Sequence, residues 1–186
     1  MYDYASLGGR VLASHWQHIW FSAGPGVVAG TGTWTDREDP SASGAPLPAT
    51  INQSFAKGAA FAKWLVGVGA SQTAGTLSIS FPRDNLQAAN PAVAREWLTV
   101  QNPRYPADPK VVEYMSFTAP VGAPVGEACG RAAYTGLHVS LTAPPGEPPL
   151  PGFPLNCEDR PISAQEQAII FMLFELSSCI SATDVP

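Results

Sequence analysis

A three-layer α/β sandwich built on a mainly parallel sheet is the fold class this sequence predicts, and three observations carry the prediction. The run Arg10 to Ser14 is nearly continuous in apolar character, as a strand covered on both faces is. Helix-like and strand-like segments then alternate along the chain, the pattern of a layered α/β domain. Between them lie stretches dense in proline and glycine, 19 and 17 of the 186 residues, which predict long ordered loops over the carboxyl edge of the sheet. The length suits one domain, residues 1–186.

Taken in order, Tyr2 to Leu7 reads as the last turns of a helix stopped by Gly8-Gly9, and the strand at 10–14 follows. Residues 15–48 have few periodic apolar positions and read as a long loop or lid. Asn52 or Ser54 is placed to cap a helix through Leu65 whose Phe55, Phe61, Trp64 and Leu65 share a face. Residues 76–81 alternate strictly, as a half-exposed strand does. Asn90-Pro91 looks like a cap and first-turn proline, predicting a helix with Val93, Trp97, Leu98 and Val100 on its buried side. Two strands are expected at 110–118 and 130–137. Ser163 and Glu166 form a capping box before an apolar run from Gln167 to Cys179, which predicts a helix buried almost all round.

Ten basic residues stand against fifteen acidic ones, so no basic stripe is available for a phosphate backbone and nucleic acid is excluded as a partner. No apolar run approaches a membrane span, and Met1 to Arg10 is too short and polar for a signal peptide. Low lysine, abundant proline, threonine and serine, and three cysteines suit an extracellular, periplasmic or envelope protein. Three is an odd number, so Cys157 pairs with Cys129 or Cys179 at most and one thiol is left over.

The chemistry rests on histidine, the side chain that titrates near neutrality. His15 and His138 each follow directly on a predicted strand, and in a parallel α/β sheet the ends of neighbouring strands converge on the ligand crevice. They are the candidate catalytic pair, with Ser14, Trp16, His18, Trp20 and Ser140 as candidate ligand-binding neighbours. His18 is expected at the surface or behind the site. Trp16, Trp20, Phe21 and Trp34 offer flat apolar faces on which a sugar ring can stack, or else they pack the loop to the core. Asp36, Glu38 and Asp39 read as a solvated acidic loop. No third ligand is spaced to complete a metal site with the two histidines, so no metal or cofactor is expected. A serine hydrolase is disfavoured because no Gly-x-Ser-x-Gly turn surrounds Ser14.

The segment Leu12-Ala13-Ser14-His15-Trp16 resembles the strand-to-turn segment of class I glutamine amidotransferases, with His15 where those enzymes carry their cysteine nucleophile. Tyr134 to Ser140 is similar to their later strand, His138 matching the catalytic histidine and Ser140 standing where their glutamate lies. Within that superfamily the ThuA-like group, named for trehalose utilisation, is the nearer resemblance, through Gly8-Gly9-Arg10 to His15 and Gly130-Arg131-Ala132-Ala133-Tyr134. The resemblance implies a flavodoxin-like sheet lacking its first strand here, and a contact with that missing segment or a neighbouring domain. It also implies no glutaminase activity, because the thioester step needs a thiolate at the turn. The function expected is that of a non-amidotransferase domain binding a small polar ligand, carbohydrate included, at His15 and His138. The alternative is an inert structural or interaction module of a longer envelope protein.

Overall fold

The computed structural model describes residues 1–41, 45–137, 161–182 and 184. The chain begins with α1 (Tyr2–Ser6) and β1 (Arg10–Ser14), followed by a 3-10 turn at His15–His18, α2 (Ile19–Ser22) and α3 (Gly26–Ala29). Next come β2 (Gly32–Trp34), β3 (Leu47–Ile51), α4 (Ala56–Gly67), β4 (Thr76–Ile79) and β5 (Leu86–Ala89). The chain continues through β6 (Arg95–Gln101), β7 (Lys110–Ala119), β8 (Gly130–Thr135) and α5 (Ala164–Ser177).

Six strands form one sheet in the order β1-β8-β7-β6-β3-β4, and β2 pairs with β5 in a separate two-stranded ribbon. Only β1 and β8 run parallel, with Arg10 opposite Arg131 and Ser14 opposite Thr135. All other neighbours in the large sheet are antiparallel. The expected mainly parallel, flavodoxin-like sheet is therefore corrected to a mixed, mostly antiparallel one. The physical reason lies in the connections: β6 to β7 and β7 to β8 are joined without a helix, and β3 and β4, joined through α4, still pair antiparallel. β1 is an edge strand of that sheet and alternates in burial, so its apolar run does not mark a strand enclosed on both faces.

Both faces of the sheet carry core. On one, α4 and α5 pack Phe61, Leu65, Ala168, Met172 and Leu176 against Ile51, Leu77, Ile79, Trp97, Leu98 and Tyr114. On the other, α1, α2, α3 and the ribbon bring Ala5, Phe21, Val28 and Leu86 onto Val112, Met115, Phe117, Ala132 and Tyr134. Phe21 stacks on Trp34 at 5.5 Å and Trp34 meets Tyr134 edge-on at 5.4 Å. Those two aromatics serve the core, not an open floor.

Several local expectations change. The helix predicted from Asn90 is a single turn: Asn90 accepts from the amides of Ala92, Val93 and Ala94. Trp97, Leu98, Thr99 and Val100 then join β6, where aromatic and β-branched residues fit a pleated surface and cross-strand pairing overrides the helix signal. Of the stretch 15–48, expected as one long loop or lid, residues 15–34 form four-residue helical turns and a three-residue strand, too brief to show a period, while 35–41 are loop. α4 starts at Ala56 with Phe55 as its cap residue and no side-chain cap, because the Asn52 carboxamide is used by Ser54. The capping box of α5 is present, Ser163 Oγ accepting from Glu166 N and Glu166 Oε2 from Ser163 N. Yet α5 buries only one stripe and leaves Leu173 and Phe174 exposed, so it is not enclosed all round. Among the described residues no helix is long and apolar enough to cross a membrane.

Candidate functional site

Where β1 ends, the chain must leave the sheet sharply, and His15 makes that turn with φ +49°. A non-glycine residue in the left-handed region costs about 1 kcal/mol or more, and such strain gathers at functional sites. Phe81, after β4, is the only other such residue among those described, at φ +53°, and it leads into Pro82-Arg83-Asp84-Asn85. Arg83 of that segment lies near His15 and against Gly136, just past the ends of β1 and β8. The His15 imidazole lies near Arg83 and Asp39 and is hydrogen-bonded to the backbone of Leu137, just past β8. Burial, with Arg83 beside it, lowers the His15 pKa, opposed by Leu137 and Asp39. The shift favours the neutral ring, which donates from one nitrogen and accepts at the other.

The connection from β4 to β5 is fixed from several sides. Arg83 donates to Asp39 Oδ2 at 2.6 Å, and Asp39 Oδ1 accepts from Asp84 N. Arg37 pairs with Asp84 at 3.0 Å while Asn102 Nδ2 donates to the same carboxylate at 2.6 Å. The Tyr134 hydroxyl donates to Asn85 Oδ1 at 3.3 Å, and Gln165 of α5 bonds both backbone groups of Ser80. Asp84 is buried, and burial raises its pKa despite Asn102 and Arg37.

Beneath this lies Glu113. Along β7, Val112 pairs with Thr99 and Tyr114 with Leu98, so Glu113 is the extra residue of a β-bulge; Trp97 is its counterpart on β6. Glu113 is fully buried, and neither carboxyl oxygen has a well-formed hydrogen bond among the described residues. Its backbone oxygen is used twice, by Gly136 N and by Thr135 Oγ1. The carboxyl rests on Gly136, where a β-carbon would sit 2.3 Å from Glu113 Oε2. Burial pushes the Glu113 pKa far up; the Arg83 backbone and charge oppose this, and Asp84 and Asp39 add to it.

Folded Glu113 keeps its proton to higher pH than unfolded Glu113. Stability is therefore lost as pH rises above the ordinary value of 4.5, toward the folded value. Glu113→Gln, which carries no titrating proton, is expected to remove this loss and to melt no lower than wild type at neutral pH. Melting curves of both proteins across pH check this; parallel profiles would show Glu113 to be unperturbed. His15 acts on the acid side, because a lowered pKa means that folded protein resists the proton. Its contribution is lost as pH falls below 6.5.

Of the residues expected at the site, His15 is there, and Ser14 adjoins it with its amide bonded to Gln17 Oε1. His18 is buried, not at the surface, its Nδ1 hydrogen-bonded with the His15 carbonyl at 2.9 Å. Trp16 and Trp20 are exposed. Trp20 lines a separate apolar cavity of about 590 Å³ with Tyr2, Ile19, Ala23 and Pro25, away from the His15 cluster. His138 and Ser140 lie outside the described residues, although β8 delivers the chain to Leu137 alongside β1. Cys129 and Cys179 are free, exposed thiols, and Cys157 lies outside the described residues. Among the described residues no three metal-binding side chains converge.

Glu113, Arg83, Asp39, Asp84 and Asn85 were not expected at the site. The acidic loop is solvated only in part: Asp36 and Glu38 are exposed, Glu38 pairing with Arg104 at the surface, whereas Asp39 is half-buried and holds Arg83. A signal for Glu113 was present in the sequence, a lone acid inside Val111-Val112-Glu113-Tyr114-Met115. Compared with protein-family models, with curated proteins and with solved structures, the chain matches none.

Proposed function

We propose that this domain binds a small, polar, uncharged ligand, carbohydrate being the leading class, in the crevice at the carboxyl ends of β1 and β8. The observation that carries the reading is the convergence of His15, itself at positive φ, and Arg83, two residues after the positive-φ Phe81, on a buried carboxyl and paired charges. A fold that needed only to turn there would use glycine. Side chains held in strained backbone beside groups with perturbed protonation are what a ligand site requires. The ThuA-like resemblance adds to this, since its two segments fall on adjacent parallel strands. It is proposed as a non-amidotransferase relationship because His15 offers no thiolate at the turn.

His15→Gly separates side-chain from backbone roles. It is expected to keep or raise stability, by up to about 1 kcal/mol through relief of the left-handed strain, and to abolish binding. A thermal-shift screen of monosaccharides, disaccharides, polyols and amino acids, run on wild type and His15→Gly, tests this. A rise in melting temperature in wild type alone supports the site; no rise with any compound, with His15→Gly less stable than wild type, refutes it. A second reading, an interaction module, is favoured by the exposed Trp16, Ile19 and Trp20. It predicts concentration-dependent association that charged substitutions at Ile19 or Trp20 remove.

A further inference from the structure

We infer that Glu113 is the proton-bearing hydrogen-bond donor of the His15 crevice, and that it selects a ligand presenting an uncharged oxygen, from a hydroxyl, ether or carbonyl group. This rests on the ligand-binding reading and specifies its chemistry. Three observations carry it. The bulge interrupts the ladder in mid-sheet, between β6 and β8, and its extra residue is the one acid of β7. Bulges next to sites re-aim a side chain. The β-carbon missing at Gly136 leaves the space that the carboxyl fills, and the next residue, Leu137, is the one whose backbone bonds His15. Both carboxyl oxygens are buried without a well-formed hydrogen bond among the described residues, the Arg83 backbone being the polar group nearest to supplying one.

The groups facing Glu113 decide the ligand's charge. They are Arg83 and Asp84 from the β4 to β5 connection, Asp39 from the β2 to β3 connection, and Tyr134 from β8. His15 shares Arg83 and Asp39 with it. Arg83 is committed to Asp39 and Arg37 to Asp84, so among the described residues around Glu113 no cation is spare for a ligand carboxylate, which would meet two acids. An ammonium group would need Glu113 ionised, at the desolvation cost of a buried charge. A protonated carboxyl offers one O–H donor, and a neutral oxygen is the partner that satisfies it without creating charge.

The test combines infrared difference spectra of wild type and Glu113→Gln with binding of sorbitol, glucose, sucrose, ethylammonium and acetate. The expected result is a protonated-carboxyl C=O band at neutral pH, present in wild type, absent in Glu113→Gln and shifted by the neutral probes. Glu113→Met should bind them about tenfold more weakly, as loss of one hydrogen bond implies. Glu113→Gln, still a donor, should bind them more tightly than Glu113→Met. A carboxylate band at neutral pH overturns the inference, and so does tighter binding of ethylammonium or acetate. Sugar binding that is lost in His15→Gly but unchanged in Glu113→Met overturns it while leaving the crevice in place. Failure of wild type to bind any probe removes the crevice and the inference together.

Discussion

Arg131→Met is expected to destabilise the domain by about 3–5 kcal/mol, the usual cost of removing one partner from a buried ionic network. Arg131 is buried at the start of β8, facing the α5 side, and donates to Glu175 Oε1 at 2.5 Å and to Ser178 Oγ at 2.9 Å. Its other terminal nitrogen lies 3.0 Å from Asp184 Oδ2. Lys57 of α4 closes the ring, pairing with Glu175 at 2.9 Å and with Asp184. Two bases and two acids thus tie β8, α4, α5 and the segment after α5 together. Without Arg131, two buried carboxylates would share one half-exposed lysine. Burial already raises the Glu175 pKa against the pull of Lys57 and Arg131. Asp184, which burial would also raise, is held low by hydrogen bonds from Lys57 and Ser181 and by Arg131. Urea unfolding of Arg131→Met, beside Lys57→Met with its smaller expected loss, checks this. A change below about 1 kcal/mol would mean the network is no stronger than a surface pair.

Gly136→Ala carries the second large effect, a loss of about 1–3 kcal/mol from overpacking a buried site. The new methyl would sit 2.3 Å from Glu113 Oε2, 3.1 Å from its Cδ and 3.3 Å from the Arg83 carbonyl oxygen. Glu113 has little room to retreat, since its side chain is fully buried in a close-packed interior. Pairing the change with Glu113→Ala should recover much of the loss, because the clash is with that side chain. Equal unfolding free energies for the single and double variants would place the strain elsewhere.

Much of the strand and helix pattern was legible wherever one element carried its own signal. The strict alternation at Thr76 to Ile79, the apolar run of β7 and the Ser163/Glu166 box each reflect a local rule that tertiary packing did not overturn. Sheet direction was not legible, because direction depends on which strands meet, and nothing in Arg95 to Gln101 says that it lies between β3 and β7. The Asn90-Pro91 signal was real but ended after one turn, where pairing partners for Trp97 to Val100 prevailed.

The site divides similarly. The position of His15, at the turn that ends β1, was legible from the apolar run before it. The acid beneath it was not, because a bulge is a property of two strands in register and Glu113 is misaligned only relative to Leu98 and Thr99. Asp39 looked like solvated loop because its partner, Arg83, lies far along the chain and meets it only after folding.

Backbone amide chemical-shift mapping with the strongest compound from the thermal-shift screen tests the crevice most directly. The account predicts saturable shifts at Leu137, Gly136, Arg83 and Asp84, and at His15, with Gly24 and Ala94 unmoved. Shifts confined to Ile19, Trp20 and Ala23 would place the ligand in the apolar cavity beside Tyr2. Shifts confined to Phe55, Arg95 and Glu96 would place it in the polar cavity near Lys110. Either pattern would contradict a binding site at the ends of β1 and β8.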